Sequence, residues 1–431
     1  MANNSNITMG ELRVGMYVYL DLKWFEHPFA FSHFKIKTEE QIKIIRSLGL
    51  KTIRYNPDLS DVTPPRQVPQ LQSPMQDVPE QPATEPMSAI SPALIAKRAM
   101  IERIRQQREA AARVESAFIN TANTIRDIEK NLFTKPAETV HLATQLIEQI
   151  TDSILPASDL AIHVMGDKAG GEELYFHSLN VTMLSMMMAR DIKLPKEVVG
   201  ALGMGGLFHD IGRKEVPNQI LLKKEPLTQA ERHFYELHCQ YGVEIGQRLQ
   251  LAPTVLAIIR EHHELFDGSG YPGKLKEASI GLLSRIVVIA NHYDELCNPL
   301  NVVDAMTPHE ALALMFAKRR SKFDPKLLQV FIRCLGVYPP GTVVQLSNGV
   351  IGMIATVNTS CPTKPMIIVY DADIPKDEAI LVDMARETDV NIVKALRPAQ
   401  VPREVYHYLS PRKRVSYYFD ASKQVQETVA R

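Results

Sequence analysis

The chain has 431 residues, 45% of them hydrophobic, and carries 49 basic and 49 acidic side chains. That length suggests roughly two or three domains with a sizeable core, while the charge balance excludes a bulk field that gathers nucleic acid or acidic lipid, so any anion site must be local and no nucleic-acid polymer is expected as a partner. Cys239, Cys297, Cys334 and Cys361 form no C-x-x-C pair, no apolar leader follows Met1 and no apolar run spans a bilayer; a cytoplasmic protein with reduced thiols and no membrane span is expected.

Residues 1–61 read as a small α+β unit with a sensory role. Residues 11–22 alternate, with Leu12, Val14, Met16, Val18 and Leu20 on one face, as a half-buried strand does. Thr38 and Gln41 form a capping box ahead of Ile42, Ile45 and Leu48, Gly49 ends that helix, and Lys51–Tyr55 returns as a strand. Residues 62–92 hold Pro64, Pro65, Pro69, Pro74, Pro79, Pro82, Pro86 and Pro92, a composition that keeps neither backbone ladders nor a core, so a linker is expected.

Residues 93–136 read as a helical connector. Val114, Phe118, Ile125, Ile128 and Leu132 fall on one helix face. That face either packs on the next domain or forms a homodimer through residues 93–132; too few heptads exist to separate the two. Residues 137–336 are helix-rich. Residues 337–431 read as a small β-rich domain, with a hairpin from Thr342–Leu346 to Ile351–Val357 about the Asn348-Gly349 turn.

The helical region carries the chemistry. Glu173 and His177 stand at i and i+4, on one helix face. His209-Asp210 follows the apolar run Leu202–Phe208, a costly place for both groups unless a ligand or partner satisfies them. His238 lies among Phe234, Leu237, Tyr241 and Ile245; taken alone, such a histidine is structural more often than not. His262 and His263 are adjacent and diverge by ~100° on a helix, so both bind one centre only if metals lie on two sides or the helix ends there. Asp267-Gly268-Ser269-Gly270-Tyr271-Pro272 then makes a tight turn. Imidazole and carboxylate suit first-row divalent metals, which activate water against phosphate esters.

Taken in order, these segments resemble the HD-GYP class of HD-domain phosphohydrolases, bacterial enzymes that degrade cyclic di-GMP. The resemblance rests on His209-Asp210-Ile211-Gly212, His262-His263-Glu264 and Asp267–Pro272, and covers about residues 150–336. Leu12–Met16 and His27-Pro28-Phe29 are similar to a domain often found ahead of such modules. The resemblance implies a mainly α fold: a helical HD bundle, with a small α+β domain before it and a small β-rich domain after it. It implies two or three divalent ions, iron or manganese, on His177, His209, Asp210, His238, His262 and His263, with Glu173 as the acidic ligand of a third ion. Asp210, Arg213 and Lys214 are the expected catalytic residues; Arg213, Asp267, Gly268, Gly270, Tyr271 and Arg285 are the expected substrate contacts. The implied reaction is hydrolysis of cyclic di-GMP to pGpG and GMP. The alternative is a receptor or adaptor that binds cyclic di-GMP, or a diguanylate cyclase through the GYP loop, without cleaving it.

Three departures motivate that alternative. The family's aspartate ligand on the helix Leu282–Leu296 is Asn291, a neutral oxygen donor, with Asp294 about a turn away. The family's lysine after H-D-x-G is Arg213, which clamps phosphate but donates no proton at neutral pH; Lys214 is adjacent. An Arg-Pro-Tyr stretch is replaced by Asn298-Pro299-Leu300, leaving Arg285, Lys318, Arg319 or Arg320 to supply a cation.

Overall fold

A computed structural model describes residues 5–62, 116–155, 161–164, 173–409 and 417–420, apart from short breaks, together with Glu102, Arg105 and Gln106. The proline-rich linker and the first part of the helical connector, Val114 included, lie outside the described residues.

The N-terminal unit is a four-stranded antiparallel sheet, β1 (Ser5–Thr8), β2 (Tyr17–Tyr19), β3 (His33–Lys35) and β4 (Thr52–Asn56), in the order β1-β4-β2-β3. One helix, α1 (Glu39–Ser47), is capped by Thr38 Oγ1, which accepts from the Gln41 amide, and buries Ile42 and Ile45. The expected strand over residues 11–22 shortens to Tyr17–Tyr19. Gly15 turns the backbone to φ +94° just before it, which leaves Val14 at the surface while Leu12, Met16, Val18 and Leu20 stay buried. The strand at Ser5–Thr8, which pairs with β4, carries too little alternation to be read from sequence.

The second unit contains the helices. Residues 116–131 (α2) place Phe118, Ile125 and Ile128 in its core, with Leu132 just beyond, and Phe118 stacks on Phe176 at 5.4 Å. The described part of that apolar face, Phe118 to Leu132, is therefore covered within the unit. Then come α3 (Pro136–Ile154), β5 (Ala161–Val164), α4 (Glu173–Asp191), α5 (Lys196–Phe208), α6 (Asn218–Leu221), α7 (Gln229–Glu236), α8 (His238–Arg248), α9 (Pro253–Glu261), α10 (Leu282–Cys297), α11 (Pro308–Lys318) and α12 (Pro325–Leu335).

Helix α4 is buried on every side from Ser178 to Ala189, so it is the axis around which α5, α10 and α12 pack. Glycines let α5 approach: a side chain at Gly206 would stand 3.0 Å from the Thr182 Cα of α4. Closer still is Gly212, in the 3-10 turn after His209-Asp210, where a Cβ would lie 1.9 Å from the His238 carbonyl oxygen. Only glycine lets that turn reach the start of α8.

The C-terminal part of this unit is a five-stranded antiparallel sheet in the order β10-β6-β7-β8-β9. Its strands are β6 (Val343–Leu346), β7 (Ile351–Thr356), β8 (Met366–Val369), β9 (Ile380–Asp383) and β10 (Ile392–Leu396), followed by helix α13 (Arg403–Leu409). The β6–β7 hairpin turns at Asn348-Gly349 with Gly349 at φ +84°. β11 (Tyr417–Asp420) pairs with β5. Arg397 reaches Glu310 at the start of α11, tying this sheet to the helices. No helix among the described residues is long and apolar enough to cross a membrane.

Candidate metal centre

Four histidines converge on one centre, three of them with the same local geometry. His209, His238 and His262 each direct Nδ1 at the carbonyl oxygen three residues earlier: Gly206 at 2.7 Å, Tyr235 at 2.7 Å and Ile259 at 2.8 Å. Each of these contacts has Nδ1–H donating. His177, on α4, instead donates from Nδ1 to Asp294 Oδ2 at 2.7 Å. With Nδ1 protonated, Nε2 is the atom of each ring left to present a lone pair, at His177 once a proton there is displaced. These lone pairs face each other: His177 Nε2 stands 3.2 Å from His209 Nε2, and His238 Nε2 stands 3.1 Å from His262 Nε2.

Two lone pairs so close repel unless something positive lies between them. Two nitrogens held by one ion at ~2.0–2.1 Å each, at roughly 90–110°, are about 3.0–3.4 Å apart, which is the spacing seen. Asp210 joins the two pairs. Its Oδ2 lies 3.5 and 3.4 Å from Nε2 of His177 and His209, and its Oδ1 lies 3.5 Å from Nε2 of both His238 and His262. Neither carboxylate oxygen has a hydrogen-bond partner, although both are buried. Arg213 Nε is 3.0 Å from Oδ2 but is not aligned to bond it. The donors therefore form two groups that share Asp210: His177, His209, Asp210; and Asp210, His238, His262, His263. This set of imidazoles and one carboxylate fits divalent ions of the first transition row.

His262 and His263 reach the same centre because α9 ends at Glu261. His263 Nε2 is buried without a partner, and the His263 ring stacks on Tyr271 at 4.6 Å and 24°. Glu264 is not part of the cluster: its carboxylate accepts the backbone N–H groups of Gly273 and Leu275 and so holds the loop that follows. Gly270 is required there, since a Cβ would meet the Leu265 nitrogen at 2.3 Å and the His263 oxygen at 2.4 Å. The Tyr271–Pro272 peptide is cis.

The electrostatics suit cation binding. Burial would raise the Asp210 carboxyl, but Arg213, His209 and His177 outweigh it and hold its pKa well below the usual carboxylate range. Burial depresses His238 to about 3, helped by His262 and Arg213 against the pull of Asp210. His262 is lowered and His263 lies well below its ordinary value, burial being the chief cause in both. These rings are neutral, as ligands must be. Burial also lowers His177, but the neighbouring Asp210 and Asp294 carboxylates, the latter hydrogen-bonded to it, outweigh that and raise it to about 10; an ion at Nε2 would compete with a proton there.

Beside the centre lies a cavity of about 540 Å³, lined by His177, Asp210, Arg213, Lys214, Tyr235, Glu295 and Glu129 among others. Arg213 is fixed by Nη2 donating to Tyr235 Oη at 2.6 Å, and Lys214 Nζ lies 3.5 Å from Glu129 Oε2. Asn291 is buried on α10 with Oδ1 unpartnered.

The structure does not bring the other expected contacts to the cavity. Asp267 is exposed and accepts from Ser269 N and Oγ and from Ser321 Oγ; it shapes its own turn, with Gly268 at φ +78°. Arg285 is committed to Asp324, the N-cap of α12, at 2.6 Å. Arg319 donates to His292 Nε2 at 2.7 Å. A local ion pair or hydrogen bond claims each of these side chains. The Glu173 side chain lies outside the described residues. Sequence reasoning missed Asn180, Tyr235, Glu129 and Glu295, and treated Asp294 only as a substitute ligand. Asp294 instead orients His177, and its Oδ1 accepts from Asn180 and Asn298 at 2.7 and 2.8 Å. The i, i+3, i+7 spacing of Asn291, Asp294 and Asn298 was the signal available.

Comparison with known proteins places these features in a lineage. The family described as HD domain matches residues 129–327, a domain of unknown function (DUF3391) matches 5–143, and a KOW domain associated with HD domain matches 343–404. A cyclic di-GMP phosphodiesterase of Pseudomonas aeruginosa is 27% identical over 91% of this chain and 92% of its own. A cyclic di-GMP phosphodiesterase response regulator of Xanthomonas campestris is 33% identical over 34% of this chain and 39% of its own. Among solved structures, an HDG"Y"P protein from Bdellovibrio bacteriovorus aligns with TM-score 0.43 and 14% identity, covering 76% of this chain and 98% of that one. Joined to the shared aspartate and its converging imidazoles, the family match identifies residues 129–327 as an HD domain, preceded by DUF3391 and followed by the KOW domain associated with HD domain.

Proposed function

We propose that the protein is a metal-dependent phosphodiesterase that hydrolyses cyclic di-GMP to pGpG and then GMP. The observation that carries this reading is Asp210, an ionised and unpartnered carboxylate shared by two imidazole groups at the wall of the cavity. A cavity of about 540 Å³ is within the range of small-ligand sites. Relatives matched over the helical region carry the name cyclic di-GMP phosphodiesterase.

Divalent ions held here supply Lewis-acid activation of the scissile phosphate and of the attacking water. His177, His209, Asp210, His238, His262 and His263 would hold them, with Asn291 Oδ1 as a neutral donor and iron or manganese as occupant; Glu173 is the proposed acidic ligand of a third ion. Arg213, held by Tyr235, offsets charge that builds on the phosphate oxygens in the transition state. A guanidinium does not give up its proton at neutral pH, so the Lys214 ammonium at the cavity wall is the donor to the leaving 3′-oxygen. The helical region is the catalytic domain, residues 1–61 the sensory one, and the exposed GYP loop the surface offered to a diguanylate cyclase.

Asn291 favours one second reading, a receptor that binds cyclic di-GMP without cleaving it. Elemental analysis of purified protein, run beside a chromatographic product assay with cyclic di-GMP and the mixed guanine–adenine dinucleotide, separates the two. Turnover of cyclic di-GMP by ion-loaded protein is the expected result. Ion-loaded protein that binds cyclic di-GMP and yields no product overturns the enzymatic reading.

A further inference from the structure

Helix α10 presents Asn291, Asp294, Glu295 and Asn298 at i, i+3, i+4 and i+7, which places them along one face. That face meets α4 at the centre, because Asp294 bonds His177 and Asn180 there. Asn291 is 2% exposed. Its Nδ2 donates to Glu295 Oε1 at 3.4 Å, which leaves Oδ1 buried with no partner. An amide oxygen buried in this way is costly unless something positive meets it. Glu295 itself lines the cavity beside His177, Asp210 and Arg213, yet is not one of the side chains whose ligating atoms gather at the centre.

We infer that Glu295 is a positioning residue for the metal centre: it holds the Asn291 amide so that Oδ1 faces the ions, and it supplies, one helix turn away, the negative charge that a neutral amide ligand lacks. This rests on the reading that the two imidazole groups hold divalent ions. The physical basis is twofold. The amide N–H is directed at the Glu295 carboxylate, at 3.4 Å longer than a strong charge-assisted bond, and the carboxylate's charge polarises the amide, which makes its oxygen a stronger donor to a cation. It also settles which end of the amide points inward, as groups behind a metal ligand commonly do. The pair is matched to asparagine. An aspartate at 291 would set two carboxylates on successive turns, and like charges at that spacing repel. Asn291 and Glu295 together thus do the work of one acidic ligand.

The test uses full-length protein stripped with chelator and reloaded with Mn²⁺ alone, read as ions per chain by elemental analysis and as affinity by competition with a chelating dye. Folding of each variant is checked by near-UV circular dichroism in the stripped state. Glu295→Gln and Glu295→Ala are each expected to weaken Mn²⁺ binding ~10- to 100-fold. Asn291→Asp alone is expected to bind no more tightly than wild type, whereas Asn291→Asp with Glu295→Ala recovers wild-type affinity. If Glu295→Ala does not fold, Glu295→Gln, which keeps the shape, carries the test. Wild-type Mn²⁺ affinity in a folded Glu295 variant overturns the inference. Wild-type protein that takes up no ion overturns the underlying reading of the centre, and the inference with it.

Discussion

Replacing Asp294 with asparagine changes a single atom yet should cost the centre one of its ligands. The Asp294 carboxylate accepts on both sides: Oδ2 from His177 Nδ1–H, and Oδ1 from the Asn180 and Asn298 amides. An asparagine has one oxygen. Turned toward Asn180 and Asn298, it keeps two hydrogen bonds and points its NH₂ at His177. That NH₂ needs an acceptor, so His177 shifts its proton to Nε2 and no longer offers a lone pair to an ion. The other orientation leaves two amide donors facing an NH₂, at ~1–3 kcal/mol each, and is disfavoured. Asp294→Asn should therefore fold, and lose at least ~10-fold in ion affinity at the His177 and His209 group, about 1.4 kcal/mol. Asp294→Ala differs in kind. It strips buried Asn180 and half-buried His177 and Asn298 of their acceptor and should lower stability by ~3–5 kcal/mol. Ion stoichiometry measured beside denaturant unfolding in chelator separates these effects. A folded Asp294→Asn variant that retains both ions at wild-type affinity would refute the tautomer argument.

Asp210→Ala removes the carboxylate common to both groups, so cyclic di-GMP hydrolysis and both ions should be lost together in product and elemental assays. Arg213→Ala should lower kcat ~10²- to 10³-fold with a smaller change in KM, read from initial rates, and should leave Tyr235 Oη without its cation. His238 has a folded pKa of about 3, below the ordinary 6.5, so the unfolded chain binds its proton first. Stripped protein should accordingly keep full His238-linked stability above about pH 6.5 and lose it as pH falls toward 3. His177, raised to about 10, contributes fully below 6.5 and so adds no slope in that window. Denaturant midpoints across pH 4–7 for wild type and His238→Gln check this, and equal slopes would count against it. Gly270→Ala should displace the Tyr271 loop through its clash with the Leu265 and His263 backbone, visible as lost ion affinity by dye competition.

The clustering of the histidines was legible from the ordered series: His209-Asp210 against an apolar run reads equally as a hydrogen-bonded core pair when taken alone, and only together with His238 and His262-His263 does it point to one centre, where the structure gathers them. The adjacent pair His262-His263 also told its own story, since both reach one centre only where a helix stops, and α9 stops at Glu261. What supports the ligands was harder to read. The carbonyls of Gly206, Tyr235 and Ile259 that fix three tautomers are backbone atoms, so no side-chain pattern announces them. Arg285 and Asp267 looked available because a sequence does not reveal that Asp324 and the Ser269 hydroxyl already claim them. In the first unit, the alternation of residues 11–22 was real, but a single left-handed glycine cut it short.

Glu264 gives the H-H-E triplet a mechanical meaning. The two residues before it join the imidazole cluster, while its own carboxylate grips the amides of Gly273 and Leu275 on an outward-facing loop. Tyr271, on that same loop, lies flat against the His263 ring. Outer skin and inner hearth are thus spliced by three consecutive residues. A displacement of that loop would therefore be felt first at the His263 ring, against which Tyr271 stacks.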